Sequence, residues 1–318
     1  MSDNLDSPSQ TSTDDPCPKL KPIPMWFQDG TLLIKAQDAK FKVYGGLLSS
    51  KSSVFRDMFT LNAGVQEAVL ELEDSKVDLS YFSKALHDID FFLPRKLGHV
   101  TPIAIVAGIL RLSDKYDVPS LRKRAIEHLS VIYPTTLRAW DRASQLESPH
   151  ISDHLDAIKS ARDFNIPWIR PMAVYHFVSQ PLETVFPLLH NSNLSEQDQK
   201  QCIRAIRALK VLQMFCGAPM RSAGNRKQCH SWSNCGNVQK NKWNAICNDD
   251  GADPLKIRLT YTDGFCSSCQ GNIDVHYTRE KAWNMVPVLF NDESWSQLET
   301  LRNAEIGMDI ADNTVGVE

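Results

Sequence analysis

The hydrophobic repeat changes period at Tyr44–Gly45, and that change constrains the fold more than any other feature of the chain. Upstream, Thr31–Lys35 and Lys40–Tyr44 alternate apolar and polar residues around the short break Ala36–Ala39. Alternation with period 2 on both sides of a polar break predicts two half-buried strands joined as a β-hairpin. Downstream, Leu47 and Leu48 form one short apolar patch. Val54, Phe55, Met58 and Phe59 then recur at helical spacing, with Ser52 or Ser53 placed to cap that helix. "AVLELED" is a third strand candidate, its apolar members being Val69, Leu70 and Leu72. Helical spacing dominates from there: Tyr81, Phe82, Ala85, Leu86 and Ile89; Ile103, Val106, Ala107 and Leu110; Leu121, Ala125, Leu129 and Ile132. Pro119 sits where proline favours the start of a helix. Three strands followed by a run of helices predict an α+β arrangement, not the alternation of a doubly wound sheet.

The 318 residues, 42% hydrophobic and 23% charged, suffice for a sizeable core, and a net charge of -3 argues against binding nucleic acid by broad phosphate neutralisation. Residues 1–24 are rich in Ser, Pro and Asp and poor in large apolar groups, so they are expected to form a disordered arm. They carry no basic n-region and no apolar h-region of a secretory signal. The longest apolar run, "PIAIVAGIL", is too short to span a bilayer. A soluble intracellular protein is the expectation, with no membrane partner. The eight cysteines agree with it, since five of them fall between Cys229 and Cys269. A disulfide-built secreted chain would scatter its pairs through small loop-rich domains.

The residues also carry a family resemblance. "DGTLLIKAQDAKFKVYGGLLSSKSSVFRDMF", then "VLELED", then "ILRLSDKYDVPSLRKRAIEHL" resembles the BTB/POZ domain, in the form found in large numbers in mushroom-forming (basidiomycete) fungi. The shared pattern comprises Asp29-Gly30, Phe41-x-Val43, Leu47-Leu48, Ser53-x-Phe55 and Met58-Phe59, followed by Ala107–Leu112, Asp114–Tyr116 and Leu121. "AIKSARDFNIPWIRPMAVYHF" and "LSEQDQKQCIRAIRALK" are similar to the helical extension of those proteins, with Ser195 and Asp198 spaced as a capping box. The end, closing in "KAWNMVPVLFNDESWSQL", is similar to their C-terminal module. The resulting division is a BTB/POZ-like domain at 25–133, a helical extension at 134–220, a cysteine-containing module at 221–301 and a flexible tail at 302–318.

The resemblance implies a packed core that supports protein–protein contacts: a homodimer or a hetero-oligomer with another BTB domain, acting as scaffold or adaptor. Phe41, Val43, Leu47, Leu48, Phe55, Met58 and Phe59 read as that core. Two family roles depend on particular positions. Transcription-factor members place a basic residue after the second strand, pairing it with the aspartate that Asp29 matches; this chain has Tyr44-Gly45 there. That substitution leaves Asp29 near water or capping a turn, and weakens the case for a transcriptional regulator. Cullin-binding members carry a hydrophobic-x-Glu motif after the Met-Phe helix. Val65-Gln66-Glu67 fits those letters, which makes a substrate adaptor of a cullin-type ubiquitin ligase the alternative function.

Cys266-Ser-Ser-Cys269 admits three readings: zinc ligation, a redox pair, or two incidental thiols. A redox enzyme using Cys266 and Cys269 would set the pair at a helix start within a thioredoxin-like βαβ pattern. Here it follows "LTYTDGF", a possible strand, with no such pattern around it. Cys229 and Cys235 supply two further thiolates, and four would close a structural zinc site. Their five intervening residues are looser than the usual two to four. His230, Cys247 and His276 are reserve ligands. Trp232, Trp243, Trp283 and Trp295 are expected to pack a small core for this module.

The basic runs "LRKRAIEHL" and "CIRAIRALK" alternate with apolar anchors and read as solvated helix faces. Phosphate-loop, GxSxG and paired-His signatures do not occur. The sequence therefore predicts a non-enzymatic interaction protein with one structural zinc ion.

Overall fold

The computed structural model describes residues 24–61, 69–93, 101–146, 148–222, 229–256, 262–271, 273 and 275–307, apart from the side chains at 218–222, 275 and 276. Residues 1–23, most of the predicted arm, lie outside it. So do Val65 and Glu67.

The hairpin forms as the alternation dictates. Strands β1 (Leu32–Ala36) and β2 (Ala39–Val43) pair antiparallel, with Leu32 opposite Val43 and Ile34 opposite Phe41. All four side chains are buried. Helices α1 (Gly45–Lys51) and α2 (Ser53–Leu61) follow, and the chain returns as β3 (Val69–Leu72), parallel to β1 on its other edge. The result is a small mixed sheet of order β2-β1-β3 covered by helices, an α+β fold. Val69 opens the third strand where one was expected. As the first residue of an edge strand its side chain is about half exposed, while Leu70 and Leu72 pack on the core.

Ser52 is the residue that caps α2: its hydroxyl accepts the Phe55 N–H at 3.0 Å and donates to the carbonyl of Tyr116. Ser53 donates to the Asp117 carboxylate instead. Asp117 has φ +50, a left-handed conformation that aspartate tolerates, and it turns the chain between α4 (Ile103–Lys115) and α5 (Pro119–Ile132). Phe55 is fully buried against Tyr116, ring centroids 4.5 Å apart. The Ser-rich segment is thus pinned at both hydroxyls to a turn 64 positions away. Helix α3 (Lys76–His87) packs on α4 and ends at His87, so Ile89 lies beyond it and is 63% exposed. The helical spacing that included Ile89 overshot the Asp88 C-cap.

Helices α6 (Leu137–Ala143), α7 (Ile151–Asp163), α8 (Arg170–Val178), α9 (Leu182–His190) and α10 (Glu196–Ser222) form the middle of the chain. Ser195 caps α10, accepting the Asp198 N–H at 3.1 Å, and its hydroxyl donates to the Asp198 carboxylate at 2.7 Å, so one half of the expected capping box forms. After it come α11 (Trp232–Asn248), α12 (Ser267–Gly271), α13 (Val275–Leu289) and α14 (Trp295–Ile306). A single cluster of buried side chains runs from Leu32 through α4, α5, α7, α8 and α10 to Leu298. Trp283 and Trp295 belong to it, stacked with centroids 4.5 Å apart, and the Trp295 indole donates to the Trp283 carbonyl at 2.8 Å. They fill the common core, not a core of their own, because α13 packs on α8 and α10 while α14 packs on α5. Trp232 is 41% exposed. Helix α14 runs past Leu301 to Ile306, with Arg302 buried and Glu305 paired to Arg122 of α5. The ordered chain thus extends into the stretch expected to be a tail.

Three imidazoles are held neutral by burial. His128 stacks on Phe92 and is held down to about 4. His154 bonds the Tyr133 hydroxyl at 2.8 Å and stacks on His176, centroids 5.2 Å apart. Burial, then the neighbouring His176, takes His154 down to about 3; burial takes His176 to about 4. Folded-state values below the ordinary 6.5 mean that the unfolded chain binds more protons. Their stabilisation is complete above pH 6.5 and is lost as pH falls toward about 4. Asp292, raised to about 6 by burial, works in the opposite direction over the same window. Burial raises Asp78, Asp153 and Asp156 in the same sense as Asp292 and lowers His87 as well, so the carboxyls offset part of the loss, and the larger displacement of the imidazoles leaves stability falling between pH 7 and 4.5. Urea titrations across that range check this, and His154→Gln should flatten the slope.

Candidate metal centre

The four sulfurs proposed from sequence meet. Cys229, Cys235, Cys266 and Cys269 place their Sγ atoms all within 4.8 Å of one another, and Cys229 Sγ lies 3.9 Å from Cys266 Sγ. Four thiolates about 2.3 Å from a tetrahedral ion would stand about 3.8 Å apart, whereas a disulfide needs about 2 Å. All seven described cysteines are free thiols. The spacing fits an ion among four sulfurs, and this cluster could bind one.

Local structure explains how a loose spacing closes. Cys229 precedes α11, Ser231 is its N-cap residue, and Cys235 sits on its first turn with its N–H bonded to the Ser231 carbonyl at 2.9 Å. The start of a helix thereby folds five intervening residues into a compact step. On the other side, Gly264 has φ +85, and a Cβ there would meet Val238 of α11 at 3.1 Å. Both the backbone sign and the close approach favour glycine. Residues 262–265, expected as the end of a strand, instead form a turn, and 257–261 lie outside the described residues. From that turn the Cys266 N–H donates to Cys235 Sγ at 3.2 Å. Backbone N–H groups of Cys269 and His230 face the Cys266 sulfur and hold its thiol down to about 6. Burial pushes Cys269 up to about 12. One half-exposed thiolate is therefore ready for a cation beside a thiol that needs one to ionise.

Around the sulfurs the packing is thin: Cys235, Phe265 and Cys269 are the buried members, edged by Val238 and Ile273. So small a cluster cannot by itself order two helix starts and a turn. The rest of the segment is moored to the main core. Lys210 of α10 donates to the carbonyls of Ile246, Asp249 and Gly251 at the C-terminus of α11, where a cation also suits the helix dipole. Tyr175 donates to Asp253 at 2.6 Å and accepts the Leu255 N–H at 3.0 Å. Gly251 passes so close to the Ser179 carbonyl that a Cβ would stand 2.7 Å from it.

Two of the reserve ligands, His230 and Cys247, do not join the cluster. His230 contributes its N–H while its residue is exposed, Cys247 is exposed farther along α11, and the His276 side chain lies outside the described residues. Cys202 and Cys216 are buried on α10, burial raising their thiols to about 12 and about 11. Sequence reading missed Gly264, Val238 and Lys210. Only the Asp263-Gly264 dipeptide, a turn signal, pointed to the first.

At the other expected site, Asp29 does have a partner: the Tyr44 hydroxyl donates to it at 2.8 Å, which raises the phenol above its usual range. Tyr44, next to the Gly45 that stands where the basic residue was looked for, supplies that partner. The basic runs are partly used inside the fold, since Arg122 pairs with Asp114 and Glu305 and donates to the Phe164 carbonyl at 3.0 Å. No helix among the described residues is long and apolar enough to cross a membrane. No protein-family model matches the chain, and no curated protein or solved structure matches it either.

Proposed function

We propose that this chain is a non-enzymatic interaction protein, a self-associating scaffold or adaptor whose C-terminal region is held in shape by one structural zinc ion. The order of the N-terminal elements carries the interaction reading. The hairpin, two helices, third strand and helical cluster of this region are compatible with the BTB/POZ resemblance of residues 25–133 and support that reading. The closed set of four thiolates supports zinc in a structural role, because four protein ligands fill a tetrahedral ion and leave no position for substrate. A redox role for Cys266 and Cys269 is less well supported, since two further sulfurs share the same 4.8 Å cluster with them.

Light scattering on the full chain tests the interaction reading. A concentration-independent mass of twice one chain is expected from micromolar protein upward. A monomer at the highest accessible concentration would remove self-association through the N-terminal region.

A further inference from the structure

Helices α10 and α13 lie side by side and antiparallel. Gln201 near the start of α10 donates to the Phe290 carbonyl just past the end of α13. Toward the other end, the Lys281 ammonium of α13 stands 4.6 Å from the Phe215 ring centroid of α10. Their buried faces complete the core through Cys202, Ala205, Leu209, Leu212, Ala282 and Val286. Their outward faces are also apolar. Ile203, Val211, Met214 and Phe215 on α10, with Met285 and Val288 on α13, are each between 37% and 61% exposed. Scattered exposed apolar groups are ordinary, but six of them on the outward sides of two helices packed together mark a contact surface.

Charge selects the occupant. Arg204 and Arg207 project from the same outward arc of α10, and among the described residues neither has a carboxylate partner. Lys281 lies between the helices, its charge facing the Phe215 ring rather than an acid. Glu196 is already paired with Lys200, which leaves Glu280 as the nearby exposed acid on α13. A basic apolar strip on a chain of net charge -3 is a local device, not a reflection of composition. A second copy docking by the same face would set guanidinium groups against one another. We infer that the α10–α13 face receives an acidic amphipathic helix of another protein. Its apolar i, i+3/i+4, i+7 anchors would lie along Val211, Phe215 and Met285, and its carboxylates would take Arg204 and Arg207 as forked partners.

The test uses the full chain and a fluorescein-labelled synthetic helix with leucine anchors and glutamate flanks, beside the same peptide with lysine for glutamate. The acidic peptide should bind, weaken about tenfold or more in Val211→Asp and in the Arg204→Glu/Arg207→Glu pair, and weaken further with added salt. These positions are exposed, so thermal unfolding of the variants should match the parent and keep a loss of binding interpretable. Several results would overturn the inference: equal binding of the lysine peptide, binding indifferent to the substitutions, or no binding at all. So would capture of anionic phospholipid vesicles in place of the peptide, or self-association abolished by Val211→Asp.

Discussion

Cys269→Ser should abolish metal binding and open residues 229–240 and 262–271 while leaving the main core folded. Cys269 is fully buried at the centre of the small sulfur cluster, and its thiol ionises there only with a cation beside it. Losing one of four thiolates removes most of an apparent binding energy on the order of 10 kcal/mol for a structural zinc site, and that energy is folding energy for the segment. The apolar packing beneath it cannot substitute. Damage should stay local, because Lys210 and Tyr175 hold the far end of the segment to α8 and α10 independently of the sulfurs. Hydrogen exchange should show amides of residues 229–240 and 262–271 exchanging as in a disordered chain, with the strands β1–β3 still protected. A strong chelator should reproduce the pattern in the parent protein. Cys247→Ser, exposed and outside the cluster, should change nothing. Unaltered exchange in Cys269→Ser would show that the cysteines need no ion to hold their places.

The second large effect concerns the core. Trp283→Ala should cost about 3–5 kcal/mol, the range for deleting a buried aromatic side chain. It leaves Trp295 without its stacking partner inside the cluster that also contains Phe177, Leu209 and Phe290. Because that cluster is continuous with Leu32, Phe41 and Phe55, the loss should appear as an earlier collapse of the whole chain in one transition. Denaturation followed at once by far-ultraviolet circular dichroism and by tryptophan fluorescence should give coincident midpoints, both shifted. Separated midpoints, with the N-terminal sheet surviving, would mean that the C-terminal helices form a unit of their own.

What could be read from sequence was whatever repeats with a short period. The hairpin followed from alternation, α2 from Val54, Phe55, Met58 and Phe59, and α4 and α5 from apolar residues at helical spacing. Edges were less legible. Ile89 kept the helical rhythm but fell past a C-cap, and the spacing of Val69, Leu70 and Leu72 did not show that an edge strand would leave Val69 half exposed. The sulfur cluster was legible in its members but not in its mechanism, since the closure depends on a helix start at Trp232 and a left-handed Gly264. The stacked pair His154 and His176 left no trace. Two histidines on separate helices carry no shared spacing, and only the packing of α7 on α8 brings them together. The tryptophans misled for a related reason: proximity in sequence suggested a local core, while tertiary packing sent Trp283 and Trp295 to the common one.

Metal content decides the central claim most directly. Protein purified without chelator should contain one zinc ion per chain. Replacing it with cobalt(II) should give the intense sulfur-to-metal absorption and the visible bands of a tetrahedral tetrathiolate site, both lost in Cys269→Ser. Metal-free protein that takes up no cobalt, with Cys266 and Cys269 recovered as a disulfide, would contradict the account.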